Sequence, residues 1–197
     1  PMEGLPLLWF SPDPRFVLFP EGVHLGRTLK RTMRRGRYEV RMDTRFGEVI
    51  ERAATAPRPG QDGTWITPEL IAGFTGLHDL GIAHSVETYL DGELVGGLYG
   101  VSLGAAFFGE SMFATEPDAS KVAFATLLGH AFGPWSFSFV DCQVYTEHLA
   151  RFGATEIPRE SFLQALADAR TVPSRRHRWE VELTPEQALT ALDVLSG

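Results

Sequence analysis

Residues 83–113 read AHSVETYLDGELVGGLYGVSLGAAFFGESMF. Two strand-like runs, Ala83 to Leu90 and Glu93 to Val101, flank Asp91-Gly92. Asp-Gly between such runs is hairpin chemistry, because a two-residue turn needs positive φ at its centre. A third run, Ala105 to Phe113, continues the sheet past Gly104. Strict alternation puts Phe107, Gly109, Ser111 and Phe113 on one face and Phe108, Glu110 and Met112 on the other, unless a bulge intervenes.

Downstream, Asp118 or Ser120 can cap a helix that runs to Phe132, stopped by Gly133-Pro134. Ser136 to Val140 reads as a buried strand. Helices are expected at Glu147 to Phe152 and Ser161 to Ala169, and Trp179 to Leu183 alternates as a late strand. Thr184-Pro185-Glu186-Gln187 opens a last helix with capping-box spacing. Upstream, Thr67-Pro68-Glu69 starts a helix whose stripe is Leu70, Ile71, Phe74 and Leu77. Phe16 to Phe19 and Tyr38 to Met42 read as strands, and Phe46 to Ala54 and Gly26 to Arg35 as helices. Only Thr55 to Gly63, with two prolines and two glycines, looks like a linker. The sum is an α/β or α+β domain with a mostly antiparallel central sheet flanked by helices. Its element order resembles N-acetyltransferase-like (GNAT) folds.

The chain has 197 residues, 44% apolar and 22% charged, enough for one sizeable core. The longest apolar run, Leu94 to Phe108, is too short to span a bilayer. No secretory signal is visible in the first ten residues. One cysteine leaves no internal disulfide and no Cys-based zinc site, and the compartment reads as cytosolic. The net charge is −7, yet His24 to Arg45 carries eight basic residues and two acids. That stretch is +6 and the remainder −13. An acidic protein with one basic segment suits a local anionic partner; a solvated helix face would read the same way. Arg27, Arg31 and Arg34 share a helix face by their spacing.

Two clusters carry candidate chemistry. Asp141-Cys142-Gln143 follows an apolar run and so sits at a strand's carboxyl end, where α/β sheets bind ligands. A charge straight after a buried run needs a partner or a purpose; capping the next turn would also satisfy Asp141. Gly109-Glu110-Ser111-Met112-Phe113 sets an acid inside an apolar strand. It lacks the final glycine of a nucleophile elbow, which argues against a serine hydrolase. Cys142 with His148 as base has the parts of a thiol nucleophile, but a lone cysteine beside an apolar strand is more often simply buried. The six histidines show no i, i+4 pair, so no metal site is expected. Acetyl-CoA enzymes of this fold cradle pyrophosphate in a glycine-rich loop. Ala114 to Ala119 has two acids, a proline and no glycine there, so CoA is a poor guest.

Seven motifs together resemble one family. They are Leu8-Trp9-Phe10-Ser11-Pro12-Asp13-Pro14-Arg15, Gly63-Thr64-Trp65-Ile66-Thr67, His84-Ser85-Val86-Glu87, Leu94 to Val101, Gly109 to Phe113, Ala119-Ser120-Lys121 and Asp141-Cys142-Gln143. In that order and spacing the chain is similar to bacterial leucyl/phenylalanyl-tRNA–protein transferases from about Leu5 to Arg170. The resemblance implies transfer of Leu or Phe, and in some cases Met, from aminoacyl-tRNA to the α-amino group of proteins that begin with Arg or Lys. It implies marking for N-degron proteolysis, no metal and no CoA, and a cytoplasmic monomer with no membrane partner. By position it assigns an apolar aminoacyl pocket to Trp65, Leu98, Phe107, Gly109, Glu110, Met112, Phe124, Leu127 and Val140. It assigns tRNA contacts to Arg27, Lys30, Arg31, Arg34 and Arg35, and chemistry to Asp141 and Gln143. Residues 1–13 read as the remnant of a leading segment and 14–197 as the transferase domain.

An aminoacyl ester is already activated, so an unprotonated, well-placed amine can attack it without an enzyme nucleophile. Asp141 is expected to orient the acceptor ammonium and help it lose a proton, and Gln143 to hold substrate backbone or polarise the ester carbonyl. Glu110 would either recognise a basic acceptor side chain or close the pocket floor. A non-catalytic tRNA-binding module and another aminoacyl-tRNA-dependent ligase of related fold fit the same residues.

Overall fold

The computed structural model describes residues 10–57 and 64–195. The start of the Leu8 to Arg15 motif, Gly63, most of the 1–13 segment and positions 58–63 of the linker lie outside the described residues. Seven strands form one sheet in the order β2 (Glu39–Met42), β3 (Ala83–Leu90), β4 (Glu93–Leu103), β5 (Ala106–Ala114), β6 (Phe139–Gln143), β1 (Arg15–Leu18) and β7 (Thr155–Ile157). Every neighbouring pair is antiparallel except β5–β6. The expected hairpin joins β3 to β4, with Asp91 at φ 52° and Gly92 at φ 84°.

Helices cover both faces. Leu98 and Tyr99 are adjacent in β4 and point opposite ways. Leu98 packs with α1 (Arg27–Arg34), α4 (Ala119–Phe132) and α7 (Pro185–Leu195), and the short α5 (Glu147–Ala150) joins this layer. Tyr99 packs with α2 (Phe46–Thr55) and α3 (Pro68–Asp79). On β6 the same switch sends Val140 toward α4 and Phe139 toward α6 (Arg159–Ala169). The α+β class is therefore the one observed, with helix layers on both sides of the sheet. Cap chemistry sets two of the helix starts. Thr67 accepts from the Leu70 amide at 3.4 Å. Thr184 and Gln187 cap each other reciprocally, at 2.8 and 3.3 Å.

Four readings need correction. β6 begins at Phe139, not Ser136, because Ser136 turns through φ 52° and the Phe137 amide is spent on Ala131 of α4. Asp141, Cys142 and Gln143 thus lie within the strand. Trp179 to Leu183 joins no strand: the Trp179 amide goes to the Asp43 carboxylate and those of Glu182 and Leu183 to His130 Nε2, which takes the two ends of the run out of any ladder. Asp118 does hold the N-cap position of α4, but at φ 63° its carboxylate pairs with Lys121 instead of capping. β7 was not expected; at three residues it is too short for a period. Among the described residues no helix is long and apolar enough to cross a membrane, and no group of three or more His, Cys, Asp or Glu could hold a metal ion.

Candidate active site

β5 and β6 pair only through Ala106↔Phe139, Phe107↔Val140 and Phe108↔Asp141. Beyond Asp141 the strands part, β5 following β4 and β6 following β1. A cavity of about 360 Å³ opens in this splay. Gly100 pairs with Gly109 while Tyr99 pairs with Ser111, so Glu110 is the extra residue of a bulge. A Cβ at position 100 would lie 2.1 Å from the Phe108 carbonyl oxygen, so the bulge needs glycine opposite it. The bulge overturns strict alternation: Phe107 and Met112 share the α4 face, and Phe113 points to the α2–α3 side. It also brings Glu110 to the cavity.

Of the nine aminoacyl-pocket candidates, eight line this cavity: Trp65, Leu98, Phe107, Gly109, Glu110, Met112, Phe124 and Val140. Leu127 does not. It lies one turn beyond Phe124 on α4 and is fully buried in the core. Asp141 and Gln143 both line the cavity, as does Cys142.

Asp141 is fully buried. Arg15 donates from Nε to its Oδ1 at 2.9 Å and from Nη2 to its Oδ2 at 2.6 Å. The Gln143 amide N–H adds a third bond, to Oδ1 at 2.9 Å. A charged pair at this depth persists only when its bonding is this complete. The expected role of Asp141 toward the acceptor ammonium therefore meets a carboxylate already committed to Arg15. Gln143 ends β6 at φ 64°, a left-handed backbone that a non-glycine residue rarely takes. Its side chain hydrogen-bonds Glu110. Burial, opposed by that hydrogen bond and assisted by the Asp141 charge, lifts the Glu110 pKa to about 7. Burial and the Asp141 charge push the Cys142 thiol up to about 12. A protonated, buried thiol is a poor nucleophile, which removes the Cys142–His148 reading.

The β6–α5 loop and α5 add a wall of Val144, Thr146, His148 and Leu149, of which the sequence singles out His148 alone, as a base for Cys142. The available signal was Thr146-x-x-Leu149, a cap that starts α5 and turns it back over the cavity. In α1 and its C-cap, Arg27, Arg31, Arg34 and Arg35 are exposed, and Lys30 is half-buried. Lys30 reaches Asp193 of α7 at 2.6 Å and Arg34 reaches it at 3.7 Å, so these two also brace a helix contact. Arg27, Arg31 and Arg35 have no ion-pair partner among the described residues.

A model of the family described as leucyl/phenylalanyl-tRNA protein transferase matches residues 17–167. The chain belongs to that family. A leucyl/phenylalanyl-tRNA--protein transferase of Myxococcus xanthus (strain DK1622) is 62% identical over 177 residues, spanning 90% of this chain and 75% of that one. Another, of Anaeromyxobacter sp. (strain Fw109-5), is 56% identical over 180 residues, spanning 91% and 76%. Among solved structures, a GCN5-related N-acetyltransferase-like protein of Streptococcus suis aligns at 11% identity and TM-score 0.36, covering 72% of this chain and 57% of that one. In this transferase-family chain the matched span runs from β1 into α6 and takes in every residue that lines the cavity.

Proposed function

We propose that the cavity receives Leu or Phe carried on the 3′ end of a tRNA, and that the protein moves this amino acid to the α-amino group of an acceptor protein. The observation that carries this reading is the junction at the β5–β6 splay. There an apolar chamber built by Leu98, Phe107, Met112, Phe124 and Val140 meets a polar edge of Glu110, Asp141 and Gln143. Such a chamber reads size and hydrophobicity and separates one methylene by about 1–3 kcal/mol, so Met is tolerated beside Leu and Phe.

The chemistry is an aminolysis. The acceptor amine attacks the ester carbonyl, an amide bond forms, and the bond to the ribose 3′-oxygen breaks. One proton leaves the amine and one must reach the departing ribose oxygen. Glu110, with a pKa near neutrality, suits that relay. Asp141, locked by Arg15, holds the Gln143 backbone. The Gln143 side chain then aims Glu110 and can polarise the carbonyl. The acidic balance outside residues 24–45 favours a cationic acceptor, in keeping with proteins that begin with Arg or Lys. In a bacterial cell the product would enter N-degron proteolysis.

The test is to incubate the protein with radiolabelled Phe-tRNA and a peptide that starts with Arg. Label should appear on the peptide α-amine and be absent from an N-acetylated control. Peptide without label, or label equal on both, would refute the reading.

A further inference from the structure

One polar atom in the cavity wall is unused by this chemistry. His148 lines the cavity, and its Nε2 is buried with no hydrogen-bond partner among the described residues. A buried polar atom without a partner is costly and calls for an explanation. The ring is held in place, edge-on to Phe152 with centroids 5.4 Å apart. Burial first, then the charges of Lys121 and Arg151, keep its pKa below the usual imidazole range. The ring is therefore neutral at neutral pH.

His148 also stands at the end of a cationic path. The His24 amide donates to the Phe152 carbonyl at 2.9 Å, which seats the entry to α1 against the turn after α5. Thr32 of α1 reaches Asp118 at 3.5 Å, and Asp118 holds Lys121 at 2.7 Å. The exposed arginines of α1, then Lys121 and Arg151, each paired with one acid (Asp118 and Glu147), so lead to His148, and the Glu110–Gln143 edge lines the same cavity. A donor laid along this path puts its phosphates on α1 and its amino acid in the chamber. Its terminal ribose falls between them.

We infer that His148 Nε2 hydrogen-bonds the free 2′-hydroxyl of the donor's terminal ribose. The inference rests on the aminoacyl reading of the cavity. A hydroxyl both donates and accepts, so it satisfies Nε2 in either tautomer. The donor's own ammonium is disfavoured beside Lys121 and Arg151. Its carbonyl belongs at the Gln143 edge, where it is attacked.

Binding decides the matter without catalysis. Two analogues carry phenylalanine joined by an amide to the 3′ position of adenosine, one with the 2′-hydroxyl and one without. Each is titrated calorimetrically into the whole chain and into His148→Ala and His148→Asn, with thermal melts to confirm folding. The unaltered chain should bind the hydroxyl analogue about tenfold tighter than the deoxy one, the scale of one buried hydrogen bond. His148→Ala should bind both alike, at the deoxy affinity, and His148→Asn should regain part of the preference. If His148→Ala fails to fold, His148→Asn against the two analogues supplies the comparison: a preference left at full strength overturns the inference. Equal binding of both analogues by the unaltered chain, or a full preference kept by His148→Ala, overturns it too. Binding of neither analogue would instead refute the aminoacyl reading, and this inference with it.

Discussion

Glu110 owes its place in the cavity to a register slip in one strand. Had β5 kept strict alternation, Glu110 would share a face with Met112 and point away from Phe107. The bulge opposite Gly100 turns it into the splay beside Gln143. Burial then raises its pKa to about 7, where proton transfer at neutral pH is most effective. In the unaltered protein kcat/KM should rise with pH through a limb near 7, ahead of the acceptor amine's own limb at about 8. Glu110→Gln should lose the lower limb and at least about tenfold in rate. An unchanged lower limb in that variant would exclude Glu110 as proton acceptor. The same shift has a consequence for stability. The folded state holds this proton more tightly than the unfolded state, so stability falls as pH rises from 4.5 to about 7. Glu110→Gln should flatten that fall in a pH series of urea melts.

The elements themselves were largely legible, because each carries its own punctuation. Asp91-Gly92 turns the β3–β4 hairpin, Thr67-Pro68 opens α3 and the Thr184–Gln187 box opens α7, all from contacts within a few residues. What stayed hidden depends on partners far along the chain. Trp179 to Leu183 alternates like a strand, yet the amides at its two ends are claimed by Asp43 and His130. The Asp141–Arg15 pair spans 126 positions, and no local pattern announces it. The His84 to Glu87 motif proves to be a clamp. Asp43 takes His84 Nδ1 at 2.7 Å and the Ser85 amide at 2.8 Å, and Glu87 takes the amides of Thr44 and Arg45. Helix packing was equally invisible. A Cβ on Gly129 of α4 would lie 2.5 Å from that of Ala188 in α7. Gly129→Ala gains up to about 1 kcal/mol of helix propensity but forces the helices apart, at about 1–3 kcal/mol. A net loss of stability in denaturant melts is expected; a gain would mean that α7 is not seated on α4 at this point.

For the molecule as a whole, the proposed function divides the labour between charge and cavity. The +6 segment sits on an otherwise acidic chain, so α1 is where a polyanion can land. Replacing Arg27, Arg31 and Arg35 together with Ala should weaken tRNA binding. The slope of log K against log salt should shrink by about three, near one for each phosphate no longer neutralised. An unchanged slope would place the tRNA elsewhere. Phosphate contacts carry no sequence information, so on the proposed function the choice of donor falls to the amino acid in the cavity. The most direct measurement is the single-turnover transfer rate onto one Arg-start peptide from a single tRNA charged in turn with Leu, Phe, Met, Ala and Asp. The expected result is fast transfer of Leu, Phe and Met, slower transfer of Ala, which leaves the chamber part-empty, and Asp slower by at least about 100-fold, because its charge would be desolvated unpaired. Equal rates for Asp and Phe would show that the β5–β6 cavity does not hold the amino acid being moved.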